Sequence, residues 1–305
     1  MVMKNKELRY LLTQACNYDC VFCNHEGLNN KNNTQLTLED YVYLFDVCKK
    51  NFNWNKISLT GGEPLLYKEF DELVKRIADL QGIITIISNG SLLNEHFDTV
   101  ELLNRINVSL HSLNEQKYDN LVRTKGQLPK VISNIKQITK TMTHVDVRLN
   151  VVLLKNFNDS LEDVKKILDF ANINNCSIKF IELANDKDRI VPMDKIKSML
   201  EQLGLTERKH GLRKLVMSDN VSITKTSCES AKLSKNVGEV CAKNMDFFVV
   251  PNGSINHCFA TNEQSSILEE VKSRDTEKLI SKLKTIGNNF GKNCIYKSLD
   301  NEIKL

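Results

Sequence analysis

Between residue 8 and about residue 203, short apolar runs alternate with longer amphipathic stretches. The runs are LRYLLTQ (8–14), KISLT (56–60), IITIIS (83–88), INVSL (106–110), VDVRLNVVLL (145–154) and SIKFIEL (177–183). Their length and β-branched content suit buried strands. Helical periodicity appears in LEDYVYLFDVCKKNF (38–52), KEFDELVKRIADL (68–80), a stretch around 94–105, LPKVISNIKQITKTM (128–142) and SLEDVKKILDFANI (160–173). A last helix, DKIKSMLEQL (194–203), follows. Six βα units in series require parallel strands with helices outside them. An open barrel and a doubly wound sheet both satisfy this pattern, and the pattern alone does not choose.

After about residue 205 the rhythm changes. Cys228, Cys241, Cys258 and Cys294 lie here, and MDFFVVPNGSINHCF (245–259) reads as a β-hairpin turned by Pro251-Asn252-Gly253. A helix over about 275–286 comes next. The expected division is therefore a core over residues 1–205 and a small cysteine-bearing region over 206–305. A net charge of +4 is too small an excess to argue for nucleic acid or an anionic membrane. No apolar run approaches the roughly 20 residues of a membrane span, and the N-terminus lacks a signal-peptide pattern. The expected location is cytoplasmic. Nine cysteines are too sparse for a disulfide scaffold at this length, and in a reducing compartment clustered cysteines more often bind metal or do redox chemistry.

One such cluster is CNYDCVFC, which places Cys16, Cys20 and Cys23 on the loop after the first strand run. In parallel α/β folds the C-terminal ends of the strands are where ligands bind. Structural zinc would want a fourth ligand, usually from a second spaced pair. The alternative for three soft thiolates is an iron–sulfur cubane with one iron left open. Cys48, within a predicted helix, and Cys176, before a strand, read as core residues.

The C-x3-C-x2-C spacing resembles the signature of the radical S-adenosylmethionine (SAM) superfamily. TGGEP (60–64), at the end of the second strand run, resembles that family's SAM amino-group motif, while ISNGSLL and NVSLHSL end the third and fourth runs at matching places. The resemblance implies a [4Fe-4S] cluster on Cys16, Cys20 and Cys23. It also implies reductive cleavage of SAM to a 5′-deoxyadenosyl radical that abstracts hydrogen from a substrate. An electron donor such as flavodoxin or ferredoxin is implied with it. SAM contacts would come from Gly61, Gly62, Glu63, Ser109, Phe22 and Ala184. The glycines admit close backbone approach, and the carboxylate of Glu63 suits an ammonium group. The expected architecture becomes a partial (β/α)6 TIM barrel with a small C-terminal region of β-hairpin plus helix.

Within the superfamily, the chain most resembles the GTP cyclase of molybdenum cofactor biosynthesis, over most of its length. Arg9 and Arg148 fall where that enzyme uses basic residues on its nucleotide. Other positions depart from it. Ser58 replaces a basic residue, Asn244 replaces the middle cysteine of a second-cluster motif, and Asp246 and Phe248 replace arginines. Cys241 through Gly253 to Cys258 also resembles the auxiliary-cluster hairpin of peptide maturases and dehydrogenases. A second iron–sulfur cluster is thus expected on Cys241, Cys258 and one or both of Cys228 and Cys294. The leading reading is a biosynthetic radical SAM enzyme acting on a small-molecule or nucleotide-like substrate. A peptide maturase is the second reading, and a non-catalytic iron–sulfur electron carrier or sensor the third. Intact TGGEP weighs against the third, because a carrier has no need to bind SAM.

Overall fold

The computed structural model of the protein describes residues 6–23, 35–183, 188–210, 214–225, 246–258 and 263–290. In chain order the elements open with β1 (Glu7–Leu11), α1 (Leu38–Phe52), β2 (Lys56–Thr60), α2 (Phe70–Asp79) and β3 (Ile83–Ser88). Next come α3 (Phe97–Val100), β4 (Arg105–Ser109), α4 (Glu115–Val122), α5 (Leu128–Thr141), β5 (Asp146–Val152) and α6 (Leu161–Ile173). They continue with β6 (Ser177–Glu182), α7 (Met193–Gln202), β7 (Lys209–His210), β8 (Lys214–Val216) and β9 (Val221–Lys225). The last are β10 (Phe247–Val249), β11 (Ser254–Cys258), β12 (Glu263–Ser266), α8 (Leu268–Lys272) and α9 (Thr276–Asn289). All six expected strands of the βα series are present. The expected hairpin is β10–β11, and the helix after it is α9. None of the helices among the described residues is long and apolar enough to cross a membrane.

The chain divides into two units. One comprises residues 1–16, 24–86 and 231–305, the other residues 17–23 and 87–230. In the first, β1 pairs in parallel with β2 and with β10, and β2 pairs in parallel with β3. The antiparallel strands β11 and β12 continue the sheet beyond β10. Side chains alternate across β1: Leu8 and Tyr10 are fully buried, and the Tyr10 hydroxyl donates to the Tyr41 carbonyl of α1 at 3.0 Å. Arg9 therefore belongs to the opposite face of the sheet. Phe70, Leu73, Val74 and Ile77 of α2 are buried at the i, i+3, i+4, i+7 positions of one helical stripe. Burial of each such side chain contributes roughly 1.5–3 kcal/mol. Trp54 and Phe290 flank Phe247 of β10, with centroids 4.6 and 4.8 Å away. Asp40 of α1 accepts from the Thr37 backbone at 2.8 Å and from Arg274 at 2.9 Å, and it also pairs with Lys272. That charge-assisted cluster ties the start of α1 to the segment joining α8 and α9.

In the second unit, β4, β5, β6 and β9 pair in parallel, and β8 and β7 extend β9 as an antiparallel meander. Val164, Ile167, Leu168 and Ala171 form the buried stripe of α6. Ser160 caps that helix, its hydroxyl accepting from the Asp163 N–H at 3.1 Å.

Candidate functional site

β1 ends at Leu11, three residues short of the expected LRYLLTQ run, because the next backbone groups serve another segment. The Gly62 N–H donates to the Thr13 carbonyl and the Glu63 N–H to the Ala15 carbonyl, both at 2.8 Å. Residues 61–63 thus lie directly on the chain leading into Cys16. Gly61 has φ +139°, and a Cβ there would sit 2.4 Å from the Thr13 oxygen. A Cβ on Gly62 would sit 2.3 Å from the Ala15 oxygen. Both contacts are impossible for a side chain, so the two glycines are required by close approach to the chain's own backbone. Glu63 is almost wholly buried, and its Oε1 accepts from the Leu65 N–H at 3.2 Å, capping the short turn Pro64–Leu66.

Residues 17–23 belong to the second unit and are fixed from several sides. Asn17 donates to the Ser91 hydroxyl at 2.9 Å and accepts from Asn89 at 2.7 Å. Asn89 Oδ1 also accepts from the Ser91 hydroxyl at 2.7 Å. The buried Asn134 holds this turn by donating to the Gly90 carbonyl at 2.8 Å. The N–H groups of Asp19 and Val21 donate to the carbonyls of Val122 and Leu121 at the end of α4, at 3.1 and 2.9 Å. Arg189 donates to the Val21 carbonyl at 3.1 Å, and the Cys23 N–H donates to the Cys20 carbonyl at 3.0 Å. The thiol of Cys23 is left exposed and that of Cys20 half-buried; Cys16, in the first unit, is exposed.

Phe22 is half-buried and meets His111 edge-on, with ring centroids 4.7 Å apart and planes 81° apart. Burial lowers the His111 pKa to about 4, so its ring is neutral at ordinary pH. Its Nδ1 accepts from the Val152 N–H at 3.1 Å, which places the ring proton on Nε2. Asn158 locks the arrangement. Its side-chain N–H groups donate to the carbonyls of His111 and Val152 at 2.7 and 2.9 Å, and its Oδ1 accepts from the Leu154 N–H at 2.7 Å. Ser109 is half-buried at the C-terminal end of β4, directly opposite Asn150.

Three thiolate donors suit an iron–sulfur cluster with one iron left open better than a structural zinc ion, which takes four ligands. Burial makes Cys48 and Cys176 unsuitable as ligands: the first thiol is pushed far up and the second up to about 12, as expected of core cysteines.

The two candidate substrate arginines differ in their surroundings. Arg9 pairs with Asp246 at 3.6 Å, and its guanidinium lies 4.7 Å from the centroid of the Phe248 ring. Arg148 on β5 is half-buried and donates to the Ser177 hydroxyl at 3.3 Å. Burial and the neighbouring Arg105 both lower its pKa. Cys228, Cys241, Cys294 and Ala184 lie outside the described residues; Cys258 ends β11. Asn17, His111 and Asn158 were not among the sequence candidates. Of the three, His111 lies in NVSLHSL, which closes a strand run where ligand-facing turns collect, Asn17 lies within CNYDCVFC, and Asn158 follows the fifth strand run.

The family model of the radical SAM superfamily matches residues 10–171. The protein described as "Probable GTP 3′,8-cyclase" from Pyrobaculum aerophilum is 27% identical over 296 residues, covering 92% of each chain. The GTP 3′,8-cyclase of Campylobacter jejuni subsp. doylei is 28% identical over 304 residues, covering 97% of this chain and 93% of that one. Among solved structures, Streptococcus suis SuiB bound to S-adenosylmethionine superposes with a TM-score of 0.67 at 19% identity. That match covers 88% of this chain but only 64% of SuiB, and it carries the fold: an α/β partial barrel with a mostly parallel sheet.

Proposed function

The chain belongs to the radical SAM superfamily, and from that premise we propose that it removes a hydrogen atom from a small-molecule or nucleotide-like substrate in a biosynthetic pathway. It is a radical SAM enzyme resembling the GTP 3′,8-cyclases, and its cofactors are a [4Fe-4S] cluster, S-adenosylmethionine and a second, auxiliary cluster. In this reading residues 1–205 are the radical SAM core and residues 206–305 the auxiliary-cluster region. Cys16, Cys20 and Cys23 hold the first cluster; Cys241 and Cys258, with Cys228 or Cys294 or both, hold the second. When bound, the reduced cluster and SAM supply a carbon-centred radical able to take hydrogen from an unactivated carbon.

The protein's own contribution is orientation. The observation that carries the reading is the double anchoring of the cysteine segment. Gly62 and Glu63 fix the backbone ahead of Cys16, and Asn17 is held by Asn89 and Ser91. Each anchor restrains its own stretch of the loop's backbone. The buried Glu63 carboxylate is the acceptor we assign to the SAM ammonium, with Ser109, Phe22 and Ala184 beside the nucleoside. His111 holds Phe22 from behind as a neutral ring and brings no charge to the site. Flavodoxin or ferredoxin serves as electron donor.

The relatives' names point to GTP. Arg9, however, is already paired with Asp246, which favours a substrate other than a nucleoside triphosphate. Anaerobic reconstitution with iron, sulfide, dithionite and SAM tests the reading. Formation of 5′-deoxyadenosine is expected; a fully reconstituted protein that makes none would overturn it and favour an electron carrier.

A further inference from the structure

One face of the first unit's sheet carries a transverse row of residues set by strand register. Ser58 lies beside Arg9, Arg9 beside Phe248, and Phe248 beside Asn256. Directly paired residues point to the same face, so all four share it. The guanidinium of Arg9 leans from β1 over the Phe248 ring of β10. That lean carries it toward β11, where Asn256 stands.

Among the described residues, two atoms in this row are buried without a hydrogen-bond partner: Nε of Arg9, a donor, and Oδ1 of Asn256, an acceptor. Asn256 is only 5% exposed. Buried polar groups are nearly always satisfied, so an orphan donor and an orphan acceptor in one row ask for a common occupant. The occupant must accept from one side and donate on the other. An amide does both with adjacent atoms.

The surroundings set its charge. Arg9 is paired with Asp246, while Glu7, one step along β1, takes the Ser58 hydroxyl as donor. The charges felt at Asp246 are those of Arg9, Glu7 and Lys6, so with its own carboxylate the group holds two of each sign. A polyanion brought to Arg9 would also meet the carboxylate of Asp246. Phosphate recognition needs uncompensated cations and is poorly served here.

We infer that Arg9 and Asn256 bound a recognition site for an uncharged amide or lactam group of the substrate, and that Asp246 is the residue that excludes phosphate from it. The assignment rests on the proposed function, because it takes the partner of this face to be the enzyme's substrate.

The test follows the Arg9 Nε–H and Asn256 side-chain resonances of the isotope-labelled, cluster-loaded chain by NMR. Three probes are titrated: N-acetyl-glycyl-glycinamide, uridine and inorganic tripolyphosphate. A peptide amide or a nucleobase lactam should shift both resonances, and whichever probe is stronger identifies the source. Tripolyphosphate should shift neither. Asp246→Asn should gain tripolyphosphate binding by about tenfold, the effect of one repulsive charge removed. Asn256→Leu should weaken the neutral probe by about fivefold, one lost hydrogen bond. Asn256→Ser, closer in polarity, serves if the leucine variant melts early. The inference is overturned if neither neutral probe moves the two resonances, or if tripolyphosphate binds the unaltered chain more tightly than they do. Formation of 5′-deoxyadenosine is measured on the same preparation. Its absence would count against the proposed function and leave the binding result standing.

Discussion

The backbone N–H of Glu63 donates to the carbonyl of Ala15 at 2.8 Å. A residue from the turn after β2 is thereby bonded to the residue immediately before the first cysteine of the loop. The turn and the loop form one piece of backbone, so disturbance of either should be felt in both.

Gly61→Ala and Gly62→Ala should each damage the loop without touching a thiol. The new Cβ would fall 2.4 or 2.3 Å from a backbone oxygen, and at Gly61 the φ of +139° is itself hostile to a side chain. Strain of this kind costs about 1–3 kcal/mol. Urea unfolding should show that loss, and equilibrium dialysis should show weakened SAM binding. Unchanged values in both measurements would mean the turn tolerates what the geometry forbids.

Replacing Cys16, Cys20 and Cys23 together with Ala should abolish 5′-deoxyadenosine formation and leave the apo fold's melting temperature nearly unchanged. Cys16 and Cys23 are exposed, so their loss empties no core. Iron should fall to about half the wild-type content if each site holds one cubane. A folded triple variant with no iron at all would show that the C-terminal cysteines hold no cluster.

Much of the fold is legible in the sequence. The helix over 38–52 and the strands over 56–60 and 83–88 match their expected bounds, because unbroken apolar periodicity marks them from end to end. The stretch around 94–105 became a short 3-10 turn at Leu93–His96 and a single helical turn at Phe97–Val100. Helix α4 went unseen, although Asn114 caps it by accepting from the Lys117 N–H at 3.0 Å. Its eight residues carry little periodic signal. The strands β7 and β8 are two and three residues long and exist only through their antiparallel partners. At the site, the thiols and glycines announce themselves by spacing. The pairs Arg9–Asp246, Phe22–His111 and Asn17–Asn89 do not, because each joins segments far apart in sequence and no local pattern encodes them.

Asn158→Ala should be among the costlier single changes in the second unit. Asn158 is fully buried and satisfies two carbonyls and one N–H around His111. Its removal takes three hydrogen bonds from buried backbone groups, at about 1 kcal/mol each. A loss of about 3 kcal/mol in urea unfolding is expected, with faster hydrogen exchange at Leu154. A loss below about 1 kcal/mol would show that water replaces the amide.

Opposite pH dependences should come from His111 and Asp246. Burial lowers His111 from 6.5 to about 4, so the unfolded chain takes the proton first as pH falls. Stability from this residue is present above about 6.5 and is lost progressively toward pH 4. Burial raises Asp246 from 3.8 to about 6, outweighing the nearby Arg9. Here the folded chain holds the proton more tightly, so stability is present below about 4 and is lost as pH rises toward 6. Across pH 4–6 the two slopes oppose each other, and the wild type should change less than Asp246→Asn. In Asp246→Asn the His111 slope stands alone, and unfolding free energy should rise more steeply with pH than in the wild type. In His111→Asn the Asp246 slope stands alone and should tilt the curve the other way. The effect of His111 is on the order of 3 kcal/mol, and that of the part-exposed Asp246 on the order of 1 kcal/mol. Urea unfolding at half-unit pH steps reads the three curves. Parallel curves for all three proteins would show that neither group titrates differently on folding.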